Sequence, residues 1–267
     1  MTHLRLSIAG IPLQIESGSR ALLERLGEAY HGFITDSGDG IEAAPFPVRV
    51  EIDRDAEPQM HLVPPVGFEK DRITFDLPGY HGIIDPARGG RLKIASPSPV
   101  RAVDYFLRVV AGALAYAAGG LMLHAACVVR NGRGFVFFGR SGSGKTTVAR
   151  NAGDGLVLND DLVILLPAAV GWTVHGTPFT NPSQTRPSAG VAPVAALLHL
   201  VQSPQVFVEP LSSARALAEL VVCVPILNAS PEPPLDRCRA ILQSIPAFDL
   251  HLRPDSSFWE VIEPIGL

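Results

Sequence analysis

Cysteine is scarce in this chain of 267 residues: Cys127, Cys223 and Cys238 are the only ones. Their odd number and the lack of C-x-x-C spacing exclude a disulfide framework and a cysteine zinc site as organising features, and a reducing, cytoplasmic setting fits best. Charge is thin as well, at 18% of residues with a net of −4, so no global field draws the chain to nucleic acid or to an anionic membrane. Polar residues interrupt positions 1–18, which gives no expectation of a secretory signal. Residues 109–129 are uncharged and have to be weighed as a membrane span. Gly119-Gly120 breaks that run and His124 lies in its second half, so the expectation is a buried helix that continues as a buried strand. Lysine is scarcest of the charged types: Lys70, Lys93 and Lys145 stand against a large excess of arginine.

One of these few lysines falls where chemistry would require it. Gly139-Arg140-Ser141-Gly142-Ser143-Gly144-Lys145-Thr146 satisfies G-x-x-x-x-G-K-[ST] in full. The apolar run Phe135-Val136-Phe137-Phe138 precedes it and Thr146-Thr147-Val148-Ala149-Arg150 opens a helix after it, the strand-loop-helix context that a phosphate-binding loop needs. Glycines at 139, 142 and 144 free the backbone to aim successive N–H groups at phosphate oxygens, alongside Ser141, Ser143 and Thr147. Lys145 would reach the β- and γ-phosphates of ATP, and the Thr146 hydroxyl would ligate Mg²⁺.

Downstream, Leu156-Val157-Leu158 reads as a short buried strand that ends in Asn159-Asp160-Asp161 before a second apolar run, residues 162–166. Two adjacent carboxylates between apolar strands are poor core material. They are either the polar turn of a hairpin or a working pair, one Asp on Mg²⁺ and the other accepting a proton from an attacking hydroxyl.

The run Leu123-His124-Ala125-Ala126-Cys127-Val128-Val129, then FVFFGRSGSGKTT, then LVLNDDLV, resembles the catalytic core of HPr serine kinase/phosphorylase and its HPr-kinase-like relatives. The likeness is specific over residues 121–167 and looser beyond. It implies an α/β P-loop kinase core of the type shared with ATP-dependent phosphoenolpyruvate carboxykinase. It also implies catalytic roles for His124, Lys145, Asp160 and Asp161, with Thr146, Asp160 and Asp161 as candidate metal ligands. The glycine- and arginine-rich signature that follows the core in true HPr kinases has no counterpart; Gly176-Thr177-Pro178-Phe179 and a Pro/Ser-rich stretch stand in its place. That puts HPr itself, and a reverse phosphorylase activity, in doubt.

Elsewhere, residues 4–15 alternate as two short strands around Gly10, and Ser19 can cap a helix to about Tyr30. Residues 36–40 form a polar loop, residues 48–52 and 72–77 read as strands, and 83–94 as a hairpin turning at Arg88-Gly89-Gly90. His3, His31, His61 and His81 are scattered and make no ligand set. Ser96-Pro97-Ser98-Pro99 is the expected boundary between a small β-rich domain, residues 1–97, and a catalytic domain, residues 98–267, and the helix over 101–118 that follows it either packs the two parts together or opens the second. Later come a strand over 172–175, a Pro/Ser-rich loop over 181–193 containing Arg186, a strand over 195–201, a helix capped by Ser212, a strand over 248–252, and Phe258-Trp259 as a buried anchor.

The expectation is therefore an ATP- and Mg²⁺-dependent kinase that phosphorylates a hydroxyl, with serine on a peptide or protein implied by the resemblance. Nucleic acid and membrane are not expected as partners, and homo-oligomer formation is left open. A nucleotide-sensing module without turnover and a carboxykinase-type enzyme are the alternatives. The second would need a substrate-binding lysine that Lys70 and Lys93 alone would have to supply.

Overall fold

The structure, a computed structural model, describes residues 2–35, 43–57, 65–96, 98–180, 186–225 and 234–266. His61, Pro97, the polar loop at 36–40 and the first part of the Pro/Ser-rich stretch, 181–185, lie outside them. The chain forms two compact units and passes from the first to the second after Ala117.

In the first unit, the alternation of residues 4–15 becomes strands β1 (Thr2–Ile8) and β2 (Ile11–Ser17). Helix α1 (Arg20–Ala29) follows, its first turn capped by the Ser19 hydroxyl, which accepts from the Leu22 N–H at 3.3 Å. Then come β3 (Phe46–Ile52), β4 (Gly67–Glu69), β5 (Arg72–Leu77), β6 (Tyr80–Asp85), β7 (Gly89–Ile94) and helix α2 (Pro99–Ala117). The seven strands form one mixed sheet in the order β1-β2-β3-β7-β6-β5-β4. The cross-strand row Ile15, Val48, Gly90, Ile84, Ile73 faces the core, while the neighbouring row Glu16, Arg49, Arg91, Ile83, Thr74 lies on the opposite face.

Helix α2 belongs to this first unit by its packing, so the chain divides beyond the helix, not at the expected Ser96–Pro99. The reason is a seat cut for Phe106. A Cβ on Gly82 or Gly90 would come within 3.0 or 3.1 Å of its fully buried ring, and Phe75 flanks it at a centroid distance of 5.6 Å. Polar contacts fix the helix further: the Tyr30 hydroxyl donates to Asp104 at 2.6 Å and the Tyr80 hydroxyl to the Ala102 carbonyl at 3.1 Å. Phe106→Ala empties this seat, and chemical denaturation should show a loss of about 3–5 kcal/mol. The uncharged run at 109–129 ends as a helix at Ala117 and resumes as a strand at Leu121. No helix among the described residues is long and apolar enough to cross a membrane.

The second unit contains β8 (Leu121–Arg130), β9 (Arg133–Phe138), helix α3 (Lys145–Arg150), β10 (Leu156–Asn159), β11 (Leu162–Pro167), β12 (Trp172–Gly176), β13 (Val191–Gln202), β14 (Phe207–Pro210), helices α4 (Ser213–Val221) and α5 (Leu235–Ser244), β15 (Ala247–Leu252) and helix α6 (Phe258–Ile262). Two long strands change partners along their length. β8 pairs with β11 through residues 121–124 and with β9 through residues 125–130. β13 pairs first with β12, then with β9, and finally with β15. Strands β8, β11, β12, β13 and β9 thereby close a ring, and β9, β13 and β15 run parallel. On one face of β9, Phe135 and Phe137 pack edge-on against Trp259 at 5.8 and 5.9 Å, which makes Phe258-Trp259 the expected buried anchor. The architecture is mixed α/β with two sheets.

Candidate functional site

The loop after β9 has the backbone that its glycines were expected to allow. Gly139, Gly142 and Gly144 sit at φ +144°, +81° and +116°, conformations that side chains with a Cβ rarely adopt. At Gly139 a Cβ would also press on the Ser143 side chain at 3.0 Å. Arg140 and Ser141 are exposed, Ser143, Thr146 and Thr147 half-buried, and Lys145 buried. The Lys145 ammonium donates to the carbonyls of Gly139 at 2.8 Å and Arg140 at 3.1 Å. Burial pulls its pKa below the ordinary lysine value, with Cys223 and Asp161 acting the other way. The Ser143 hydroxyl is buried without a hydrogen-bond partner among the described residues.

The Asp pair is not the turn of a hairpin. β10 and β11 both pair antiparallel with β8, one at Cys127 to Val129 and the other at Leu121 to His124. Asp160 and Asp161 fill the interruption between them, and the register along β8 shifts just before it, between Val157 and Asn159. Asn159 builds that interruption. Its side-chain oxygen accepts from the N–H groups of Asp161 at 2.7 Å and Leu162 at 3.0 Å. Its amide donates to the carbonyls of Thr177 at 2.8 Å and Phe179 at 3.0 Å. The Gly176-Thr177-Pro178-Phe179 segment is thus the support for the carboxylates, and the Thr177 hydroxyl closes the clamp by donating to Leu162 O at 2.7 Å. Asn159→Leu removes both halves of a fully buried amide network, so thermal melts should show one of the larger losses of any replacement near the site, about 2–5 kcal/mol.

Asp160 and Asp161 are buried, at 1% and 6% exposure. His124 pairs across the strands with Leu162, which brings its Nε2 to 3.0 Å from Asp161 Oδ1 while 42% of its own side chain stays exposed. His124, Lys145 and Asp161 therefore share one locality, with Asp160 beside them in the chain. Arg186 is exposed in the segment before β13, and that strand begins at Val191, inside the expected loop over 181–193.

The oxygen donors suit Mg²⁺, which takes one or two carboxylates and completes its shell with water and substrate phosphates. The Thr146 hydroxyl and the two carboxylates are such donors. No group of three His, Cys, Asp or Glu residues among the described ones would hold an ion by itself, so an ion here would rely on nucleotide oxygens.

Two further residues, His199 and Cys223, adjoin the loop and were not foreseen. His199 lies opposite Phe138 in the parallel pairing of β9 and β13, its ring 5.4 Å from that of Phe138. Its Nδ1 is 2.7 Å from Asp249, whose other oxygen accepts from Arg215 at 2.6 Å. The Cys223 sulfur accepts from the Gly139 N–H, and its carbonyl accepts from the His124 N–H at 2.6 Å. The one sequence signal for this network was a histidine and an aspartate set inside apolar strands.

No curated protein matches the chain. Residues 102–225, a stretch that carries His124, the phosphate loop and the Asp pair, are similar to the family described as ScmC, SynChlorMet cassette protein ScmC.

Proposed function

We propose that the second unit is an ATP-dependent phosphotransferase acting on a hydroxyl, with a serine-bearing peptide or protein as acceptor and Mg²⁺ as the metal. The observation that carries this reading is the positive-φ glycine loop that presents Lys145, together with a buried carboxylate, Asp161, held by His124 at 3.0 Å on the neighbouring strands. Phosphoryl transfer is mainly a matter of positioning and charge. The glycine loop aims N–H groups at the phosphates, and Lys145, released from its two carbonyls, adds a cation at the terminal phosphate. Bound Mg²⁺ would neutralise charge on the transferring oxygens, held by Thr146 and Asp160. Asp161 accepts the hydroxyl proton, oriented by His124, whose exposed edge leaves the pair open to an acceptor. Apolar walls formed by β8 and β11 shield the carboxylates and strengthen each of these contacts. The resemblance to HPr-kinase-like proteins supports serine as the acceptor. The missing signature points away from HPr.

Incubation of the purified protein with MgATP and serine-containing peptides, read by mass spectrometry beside a parallel incubation with HPr, tests the reading. Phosphoserine is expected on a peptide and not on HPr. Robust modification of HPr would overturn the substrate assignment, and no transfer to any hydroxyl would favour a binding module.

A further inference from the structure

A hollow of about 350 Å³ lies within the first unit, on the sheet face opposite the Phe106 seat. Its floor is low because Pro47 and Gly89 meet there: a Cβ on Gly89, whose φ is +133°, would come 2.8 Å from the Pro47 carbonyl oxygen. The rim carries Arg49 of β3, Arg72 of β5, Arg91 of β7 and Arg88 of the turn before β7. In a chain of net charge −4, these four guanidiniums stand against two carboxylates, Glu16 and Asp85. Each carboxylate holds one arginine, Glu16 taking Arg49 at 3.4 Å and Asp85 taking Arg72 at 3.3 Å. Arg88 and Arg91, both exposed, form no ion pair among the described residues.

Arg49 and Arg91 are direct partners in the parallel register of β3 and β7. Like charges facing each other across strands weaken a sheet. Neighbouring strands lie about 4.8 Å apart, so the two guanidinium forks can hold one anionic group between them and relieve that repulsion. The excess of positive charge does not spread. In the next row of the same face, Lys93 is held by Asp53 at 2.8 Å and His81 by Asp76 at 2.9 Å, and Glu51 faces Lys93. Beyond the far wall, Glu69 lies opposite Arg72. A nucleic acid or an anionic membrane calls for an extended basic surface, whereas a confined basic hollow suits a compact anion. Among compact anions, a phosphate monoester brings about 1.5 to 2 negative charges at pH 7 and three acceptor oxygens on a single centre. A carboxylate brings one charge.

We propose that this hollow binds the phosphate group of a phosphate monoester, gripped by Arg49 and Arg91 with Arg88 adding a third cation from the turn. The site lies wholly in the first unit and is independent of the phosphotransferase reading of the second. A free small molecule and a phosphoserine side chain offer the same group, and the probes below tell these two sources apart.

The test is calorimetry on the whole protein at low ionic strength with five probes: glycerol 3-phosphate, a phosphoserine peptide, the same peptide unphosphorylated, succinate and a single-stranded oligonucleotide. Both phosphate probes should bind, with succinate and the unphosphorylated peptide weaker by about 10-fold or more. Arg49→Gln and Arg91→Gln replace exposed side chains, and each should weaken the phosphate probes by about 10-fold or more while MgATP affinity stays unchanged. Arg91→Gln should leave the melting temperature unchanged or raise it, because it removes a like-charge pair. Equal affinity for the two phosphate probes, lost in both variants, supports the proposal with a small molecule as a sufficient ligand. A phosphoserine peptide bound about 10-fold or more tighter than glycerol 3-phosphate, and likewise lost in both variants, supports it with a peptide as the source. Failure of both phosphate probes to bind, binding that both variants retain, or succinate bound as tightly as phosphate would overturn it. An oligonucleotide bound more tightly than either phosphate probe would also overturn it, in favour of a surface for a long polyanion.

Discussion

Lys145→Ala is expected to abolish phosphoryl transfer and to weaken MgATP binding by about 10-fold or more while the fold survives. The loop keeps its N–H groups, because Gly139, Gly142 and Gly144 set its backbone through their positive φ and not through the lysine. What disappears is the mobile cation at the terminal phosphates, where charge accumulates in the transition state. In the present conformation the ammonium is held by two loop carbonyls at 2.8 and 3.1 Å, so its removal also frees the Gly139 and Arg140 carbonyls. The Arg140 carbonyl is exposed to water and water can enter the space the side chain leaves beside the buried Gly139 carbonyl, so a melting shift of only a few degrees is expected. Calorimetry with MgATP together with steady-state turnover checks this. Unchanged affinity with unchanged turnover would remove the loop from the mechanism.

The Asp pair should give two unlike phenotypes. Asp161→Asn keeps the shape of the side chain and a contact to His124 but loses the proton acceptor. Nucleotide affinity should stay nearly intact while turnover falls by about 10²-fold or more. Asp160→Asn should raise the Mg²⁺ concentration needed for half-maximal rate as well as lowering the rate. His124→Ala should cost less than the loss of Asp161, since a positioning partner is removed and not the acceptor itself. A histidine that served packing alone would give lower stability with normal activity per folded molecule. Thermal melts beside kinetics at varied Mg²⁺ distinguish these outcomes.

The parts of the site that could be read in the sequence are local ones. Gly139 through Thr146 is a single continuous stretch, a loop running into the first turn of α3, whose residue types were expected from what phosphate needs, and the strand before it ends at Phe138. Asn159-Asp160-Asp161 stood out because charge between two apolar runs demands an explanation. Its setting did not: a hairpin turn was one of the two readings open from the sequence, whereas β10 and β11 lie along the same partner, β8. The ring of strands was equally hidden, since β8 and β13 change partners midway and one-dimensional alternation is blind to a change of partner. His199 and Asp249 come together only through the parallel pairing of β13 with β15, across 50 positions of chain. The boundary was misplaced for a related reason. Ser96–Pro99 carries the composition of a linker, but the Phe106 seat depends on Gly82 and Gly90, and the cue that α2 belongs with the first sheet is the absence of two side chains.

The account stands or falls on whether this chain moves a phosphoryl group by means of its buried carboxylates. The most direct measurement follows label from the γ-phosphate of ATP to serine-containing peptides, by wild type and by the Asp160→Asn and Asp161→Asn proteins, each shown folded by thermal melt and each with its nucleotide affinity measured. The account predicts transfer by wild type and a loss of about 10²-fold or more in Asp161→Asn, with ATP still bound. Wild-type rates of transfer in both variants would contradict it.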